Sequence, residues 1–192
     1  MKLLEYDFHF GAQLAQEGKP EENPYTGTVL AMTYYLGIFA IGLLFRLAME
    51  FDVWGWMMEN WPYEYGRVHS KNIAAPTGVL AIILFLALRY SLRKYFLRQE
   101  VINRLQQEFE IDDPDLRIHS FLPRFLLFFF MFYGVMIAGA YWVVVGFCTA
   151  IVIALELWVR YRFFWNRETL LQQPYAQKVV AEREKVKKKK RK

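Results

Sequence analysis

The sequence predicts an all-α integral membrane protein. Four transmembrane helices form two hairpins, both termini lie on a basic inner side, and helical extensions project outside the bilayer. Three observations predict it. The chain is 55% hydrophobic and 18% aromatic yet 22% charged, too apolar for an ordinary soluble domain and too charged for a bare bundle of spans. The 31 residues from Phe125 to Leu155 contain no charged side chain. Finally, 19 of the 24 Lys and Arg residues fall in two segments, 89–124 and 160–192.

Residues 1–24 form a polar, acidic N-terminal segment without an apolar core: Met1 to Gly18 carries Glu5, Asp7 and Glu17. It resembles neither a secretory signal nor a transit peptide, so the first span is expected to act as its own insertion signal. Pro20 and Pro24 argue against a helix running into Tyr25. The transmembrane domain follows, over residues 25–165.

The first span covers about 25–48, with no charge between Tyr25 and Phe45, which is long enough to cross. Thr26, Gly27, Thr28, Thr33, Gly37 and Gly42 interrupt its apolar run; small residues either permit close helix–helix approach or are merely common in such helices. An outer loop, 51–71, holds Trp54, Trp56, Trp61, Tyr63 and Tyr65. Such amphipathic rings belong at the headgroup level, and Pro62 and Gly66 break any long element there. The second span, about 73–92, opens near Pro76, which suits a first helical turn.

An inner helical loop, 90–120, comes next. Tyr90 to Phe109 has no Gly or Pro, and Phe96, Ile102, Leu105 and Phe109 recur at near-helical spacing. Five acids from Glu108 to Asp115 read as a solvated turn, since the spacing lacks the EF-hand glycine and terminal glutamate. The uncharged stretch then begins. As one helix its 31 residues would measure roughly 46 Å against a hydrocarbon core of about 30 Å. Two crossings, about 121–139 and 142–165, therefore fit better, turning at Ala138-Gly139-Ala140-Tyr141. A single long, tilted helix is the alternative, which leaves three spans open beside four. The aromatic run Phe128-Phe129-Phe130 with Phe132 and Tyr133 surrounds the third helix. Residues 166–192 form the basic tail, in which Pro174 opens a surface helix.

Basic residues near span ends set orientation. The two Lys/Arg-rich segments share the inner side, which requires an even number of crossings between them and puts the aromatic loop outside. The tail is expected to attract anionic lipid headgroups, and no specific nucleic acid is expected.

Few residues carry recognisable chemistry. Glu156, in the inner half of the fourth span, is the most telling, because an ionisable group at that depth is costly. Its expected partners are Arg160, four residues on, and Arg89, at the inner end of the second span. An ion pair locking two helices and a proton or ion relay are the two roles considered. His9, His69 and His119 fall outside the predicted spans, which argues against a bis-histidine membrane haem. The single cysteine, Cys148, rules out a disulfide or thiolate framework within the sequence. No metal-ligand spacing, close histidine–carboxylate cluster, phosphate loop or nucleophile elbow is present, so no catalytic, metal or cofactor residue is assigned. The aromatic loop suits a quinone, a lipid or a partner subunit, or simply an interfacial anchor.

These features point first to a non-catalytic accessory subunit of a multi-subunit membrane complex, an energy-transducing one being one setting, with other membrane subunits as partners. A small oligomeric transporter or channel using Glu156 and Arg89 is the second reading. A lipid-modifying enzyme holding a headgroup with Arg89, Arg93 and Arg124 is the third. A bacterial cytoplasmic or mitochondrial inner membrane fits the charge pattern, with the endoplasmic reticulum as a third setting.

Overall fold

The computed structural model describes residues 1–18, 23–60, 69–113, 115–139 and 142–190. Among these the chain is helical, with no strand. The elements are α1 (Lys2–Gly18), α2 (Pro24–Glu50), α3 (Val53–Asn60), α4 (His69–Phe96), α5 (Gln99–Phe109), α6 (Arg117–Gly139), α7 (Trp142–Arg160), a π-helical turn (Tyr161–Trp165), α8 (Arg167–Leu171) and α9 (Pro174–Lys190). Three helical stretches among the described residues are long and apolar enough to cross a membrane: Pro24–Glu50, Arg117–Gly139 and Trp142–Trp165. By length and composition, these helices suggest a membrane location.

Two compact units form. The first gathers Met1–Thr28, Tyr95–Leu126 and Thr149–Lys192. At its centre is α1, and here the sequence reading requires correction. Residues 1–24 are not simply a polar segment: Leu3, Tyr6, Phe8, Phe10 and Ala12 are all buried. Glu5, Asp7 and His9 are buried among them. Alternating charged and aromatic residues conceal an apolar helix whose charges are satisfied inside the protein rather than in water.

A second correction concerns residues 90–109, which do not form one helix. α4 stops at Phe96, and Arg98 adopts an extended conformation with φ −71° and ψ 129° before α5 starts. No Gly or Pro forces this break. It frees α5 to turn its apolar stripe, Ile102, Leu105 and Phe109, into the core. Phe109 then meets Tyr6 edge-on at 5.9 Å between ring centroids, while Phe96 packs on Phe8 at 4.7 Å. Tyr6, Phe8, Phe109 and Phe163 are almost fully buried, each worth about 1.5–3 kcal/mol in area removed from water.

The second unit comprises Val29–Lys94 and Leu127–Cys148. α2 and α6 approach most closely where Gly42 meets Gly134: a Cβ on Gly134 would lie 2.7 Å from the backbone N and Cα of Phe39. No side chain fits there, so the small residues of the first apolar helix serve close packing at Gly42. Beside the crossing, Tyr35 stacks on Phe130 at 5.6 Å and Phe39 leans on Tyr133 at 5.0 Å. Phe129, Phe130 and Tyr133 are buried while Phe128 and Phe132 are exposed, so the aromatic run divides between a packed face and an open one. Arg46 pairs with Glu50 at 2.8 Å and lies over the ring of Trp142 at 4.5 Å.

The region 51–71 is not wholly a loop either. α3 occupies Val53–Asn60, and α4 begins at His69, ahead of the expected 73. α6 begins at Arg117 rather than 121, and spans Pro123. α6 is described as far as Gly139 and α7 from Trp142; Ala140 and Tyr141, on which half of the expected turn falls, lie outside the described residues.

Candidate functional site

The titratable side chains that burial has gathered lie in the first unit, around α1. They fall into three groups.

The first surrounds Asp112. The sequence reading placed this residue in a solvated turn and found no close histidine–carboxylate cluster; both expectations fail. Asp112 is 2% exposed, and its Oδ2 lies 3.2 Å from His119 Nε2. Arg162 completes a two-pronged contact, Nε donating to Oδ2 at 2.6 Å and a terminal nitrogen to Oδ1 at 2.9 Å. The carboxylate has only acceptors, so the proton on His119 Nε2 points to it. The Nδ1 lone pair then accepts the Tyr6 hydroxyl at 2.8 Å. Phe10 stacks flat on the imidazole, 4.2 Å away and within 2° of parallel.

Local structure explains how Arg162 arrives. The π-helical turn inserts an extra residue, with Asn166 N–H bonding to Tyr161 C=O. It sends Phe163 into the core and Arg162 towards Asp112. Burial works to raise the Asp112 carboxyl, but the hydrogen bonds from His119 and Arg162 outweigh it and hold the group below its ordinary value. Tyr6 is pushed the other way: burial and the Asp112 charge keep its phenol protonated far above the usual range. Both ring nitrogens of His119 are engaged, so this network works as a polar clamp joining α1, α6, the π turn and the segment after α5.

The second group centres on Glu5. Its carboxylate receives Lys2 at 2.8 Å, Arg104 at 2.7 Å and the Tyr95 hydroxyl at 2.7 Å. Burial would raise its pKa; hydrogen bonds from Lys2 and Tyr95, with the two cationic charges, bring it below the ordinary value. Lys2 also meets Glu108 at 3.0 Å and sits over the Phe164 ring at 4.3 Å.

The third group is built on Glu156. Its two oxygens accept the backbone N–H groups of Lys2, at 3.0 Å, and Leu3, at 2.8 Å, while Arg160 Nε donates at 2.7 Å. Those N–H groups are among the four that the start of α1 leaves without an intrahelical partner, at the positive end of its dipole. Glu156 thus caps the N-terminal helix, a role the sequence reading did not consider. Arg89 is carried by α4, in the other unit; the hydrogen bonds of Glu156 go to its own unit.

His9 stands apart. It stacks on Phe109 at 5.6 Å, and its Nε2 lies 3.3 Å from the Gln13 amide. Burial, reinforced by His119, lowers its pKa from 6.5 to about 4. Nearby, a cavity of about 330 Å³ is lined by Phe10, Gln13, Leu14, Gln16, Glu17, His119 and Ser120.

In the aromatic region, Trp54 and Trp56 are on α3, and Trp56 is exposed. Trp61, Tyr63 and Tyr65 lie outside the described residues. Among the described residues no group of three or more His, Cys, Asp or Glu is arranged to hold a metal ion.

Reasoning from sequence missed Tyr6, Asp112, His119 and Arg162 as a set. They come from four separate parts of the chain, and no spacing rule joins them. Comparison with known protein families, curated proteins and solved structures finds no match to this chain.

Proposed function

We propose that this chain is a non-catalytic accessory subunit of a multi-subunit integral membrane complex, crossing the bilayer four times with both termini on the basic inner side. The observation that carries this reading is the last apolar helix. Only 17% of its apolar window is buried by its own chain. Val143, Phe147, Leu157 and Tyr161 are exposed on it. Gly146, Ala150 and Ala154, also exposed, follow one another at four-residue steps. Small residues at that interval let another helix backbone approach, and the aromatic rings around them suit the anchors of a protein interface.

The binding chemistry within the first unit supports the same reading. The carboxylates of Glu5, Asp112 and Glu156 are each held by two or more internal donors, which suits a rigid scaffold. A relay carboxylate must exchange partners, so the engagement of both Glu156 oxygens weighs against the transporter reading. The four-crossing topology rests on the uncharged run from Asn72 to Leu88 in α4, which supplies the remaining span, and on the Lys/Arg distribution. Exposed Trp142 and Trp165 stand 23 residues apart on the last helix, roughly 35 Å along its axis, close to the thickness of a hydrocarbon core. A bacterial cytoplasmic or mitochondrial inner membrane is the setting that the basic inner side fits.

The test is photo-cross-linking in the native membrane from probes at Phe147 and Leu157, with mild-detergent extraction alongside. The expected result is a discrete protein adduct from both positions that co-migrates with a large assembly. Adducts to lipid alone, on a chain that extracts as a free monomer, would overturn the proposal.

A further inference from the structure

We infer that the basic end of α9 docks on an anionic lipid surface. The helix has two halves, distinguished by what holds them. The first half is fastened to the protein. Ala176 is fully buried, and Arg183 donates to the Gln106 carbonyl at 3.1 Å and to the Glu110 carboxylate at 2.9 Å. That guanidinium closes the carbonyl end of α5, where the helix dipole is negative. Arg183 is therefore spent inside the first unit.

The second half has no such counter-charge in sequence. Residues 185–192 hold Lys185, Lys187, Lys188, Lys189, Lys190, Arg191 and Lys192, and no acid. Lys185 and Lys188 are exposed, and the helix continues to Lys190.

Residue chemistry selects the partner. Seven positive charges within eight residues, with no acid among them, attract a fluid surface whose anionic headgroups can gather around them. Lysine suits that partner, being a compact point charge that needs no matched fork of acceptors. Nucleic acid is disfavoured, because 176–192 contains no aromatic residue on which a base could stack. The tail is also tethered close to its target. Pro174 follows exposed Trp165, the end of an apolar stretch long enough to cross a membrane, by nine residues, and α9 itself is only about 26 Å long.

The test uses the full chain, purified and placed in lipid nanodiscs. A fluorophore is attached through Val186→Cys in a Cys148→Ser background, and quenching by headgroup-labelled lipid is read. Discs of phosphatidylcholine alone are compared with discs in which phosphatidylglycerol replaces a fraction of it. Several-fold stronger quenching is expected in the anionic discs. It should collapse between about 0.1 M and about 1 M salt, as the Debye length shortens from about 10 to about 3 Å. It should also vanish when Lys187 to Lys190 are all changed to Gln, with an unchanged melting temperature as the check that the fold is kept. Equal quenching in neutral and anionic discs would overturn the inference. So would full retention in the glutamine variant, or loss of quenching when an RNA oligonucleotide of equal charge competes for the tail.

Discussion

Acid should loosen the first unit through one residue, His9. Its imidazole is 5% exposed, stacked on Phe109 and edge-on to Phe10, and its pKa falls from 6.5 to about 4. Burial disfavours the charged form, so the folded state binds the proton more weakly than the unfolded chain does. Stability is then untouched near pH 7, where both states are neutral. It declines as pH drops through 6.5 and levels off below 4, the unfolded state taking up a proton that the folded state refuses. With those two values the loss is about 2 kcal/mol at pH 5 and about 3 kcal/mol at pH 4. His9→Phe removes the titration while keeping an aromatic ring against Phe109. Thermal unfolding of the detergent-solubilised chain across this range checks it, because other titrating groups cancel in the difference between wild type and variant. The wild type should lose the stated amount relative to His9→Phe on moving from pH 7 to pH 5. Parallel pH profiles would refute the reasoning and mean that His9 reaches water in the folded state.

The other expectations are direct. Arg162→Met leaves the Asp112 carboxylate, with no side-chain exposure, without its two-pronged partner; it should cost about 3–5 kcal/mol in unfolding free energy, with partial recovery in the Asp112→Asn double variant. In the wild type the contribution of Asp112, whose folded pKa is depressed, is present above the ordinary carboxylate range and should disappear from acid titrations as pH falls below about 4. Gly134→Ala drives a methyl group into the Phe39 backbone and should lower stability by about 1–3 kcal/mol. Gly146→Ala meets nothing within 4 Å; it should raise the melting temperature of the isolated chain, by the equivalent of about 0.5–1 kcal/mol, while weakening any assembly that seats a helix there. Glu156→Gln removes the charge that caps α1 and should speed amide exchange at Lys2 and Leu3, at a cost of about 1–2 kcal/mol. A flux assay that responds to this variant with no change in α1 exchange would restore the relay reading.

What the sequence disclosed and what it hid follow from the same physics. An uncharged run needs no partner to declare itself: water excludes Phe125 to Leu155 whatever surrounds it, so the apolar character of this region was legible. Charged residues are ambiguous alone. Glu5, Asp7 and His9 make residues 1–18 look solvated, and only the donors from Lys2, Tyr95 and Arg104 show how a carboxylate such as Glu5 can be buried. Asp112 misled in the same way, since its burial depends on Arg162, fifty residues on, and that arginine points inward only because of a π turn that no local pattern announces. Glu156 is the instructive case. The reasoning that an ionisable group inside an apolar helix must have a purpose was sound, and Arg160 was a nameable partner at helical spacing. Its other partners were backbone N–H groups at the far end of the chain, and every residue except proline carries one. A cap of that kind leaves no side-chain signature at Lys2 or Leu3, and it converts the chief argument for transport into an argument for anchoring the N-terminal helix.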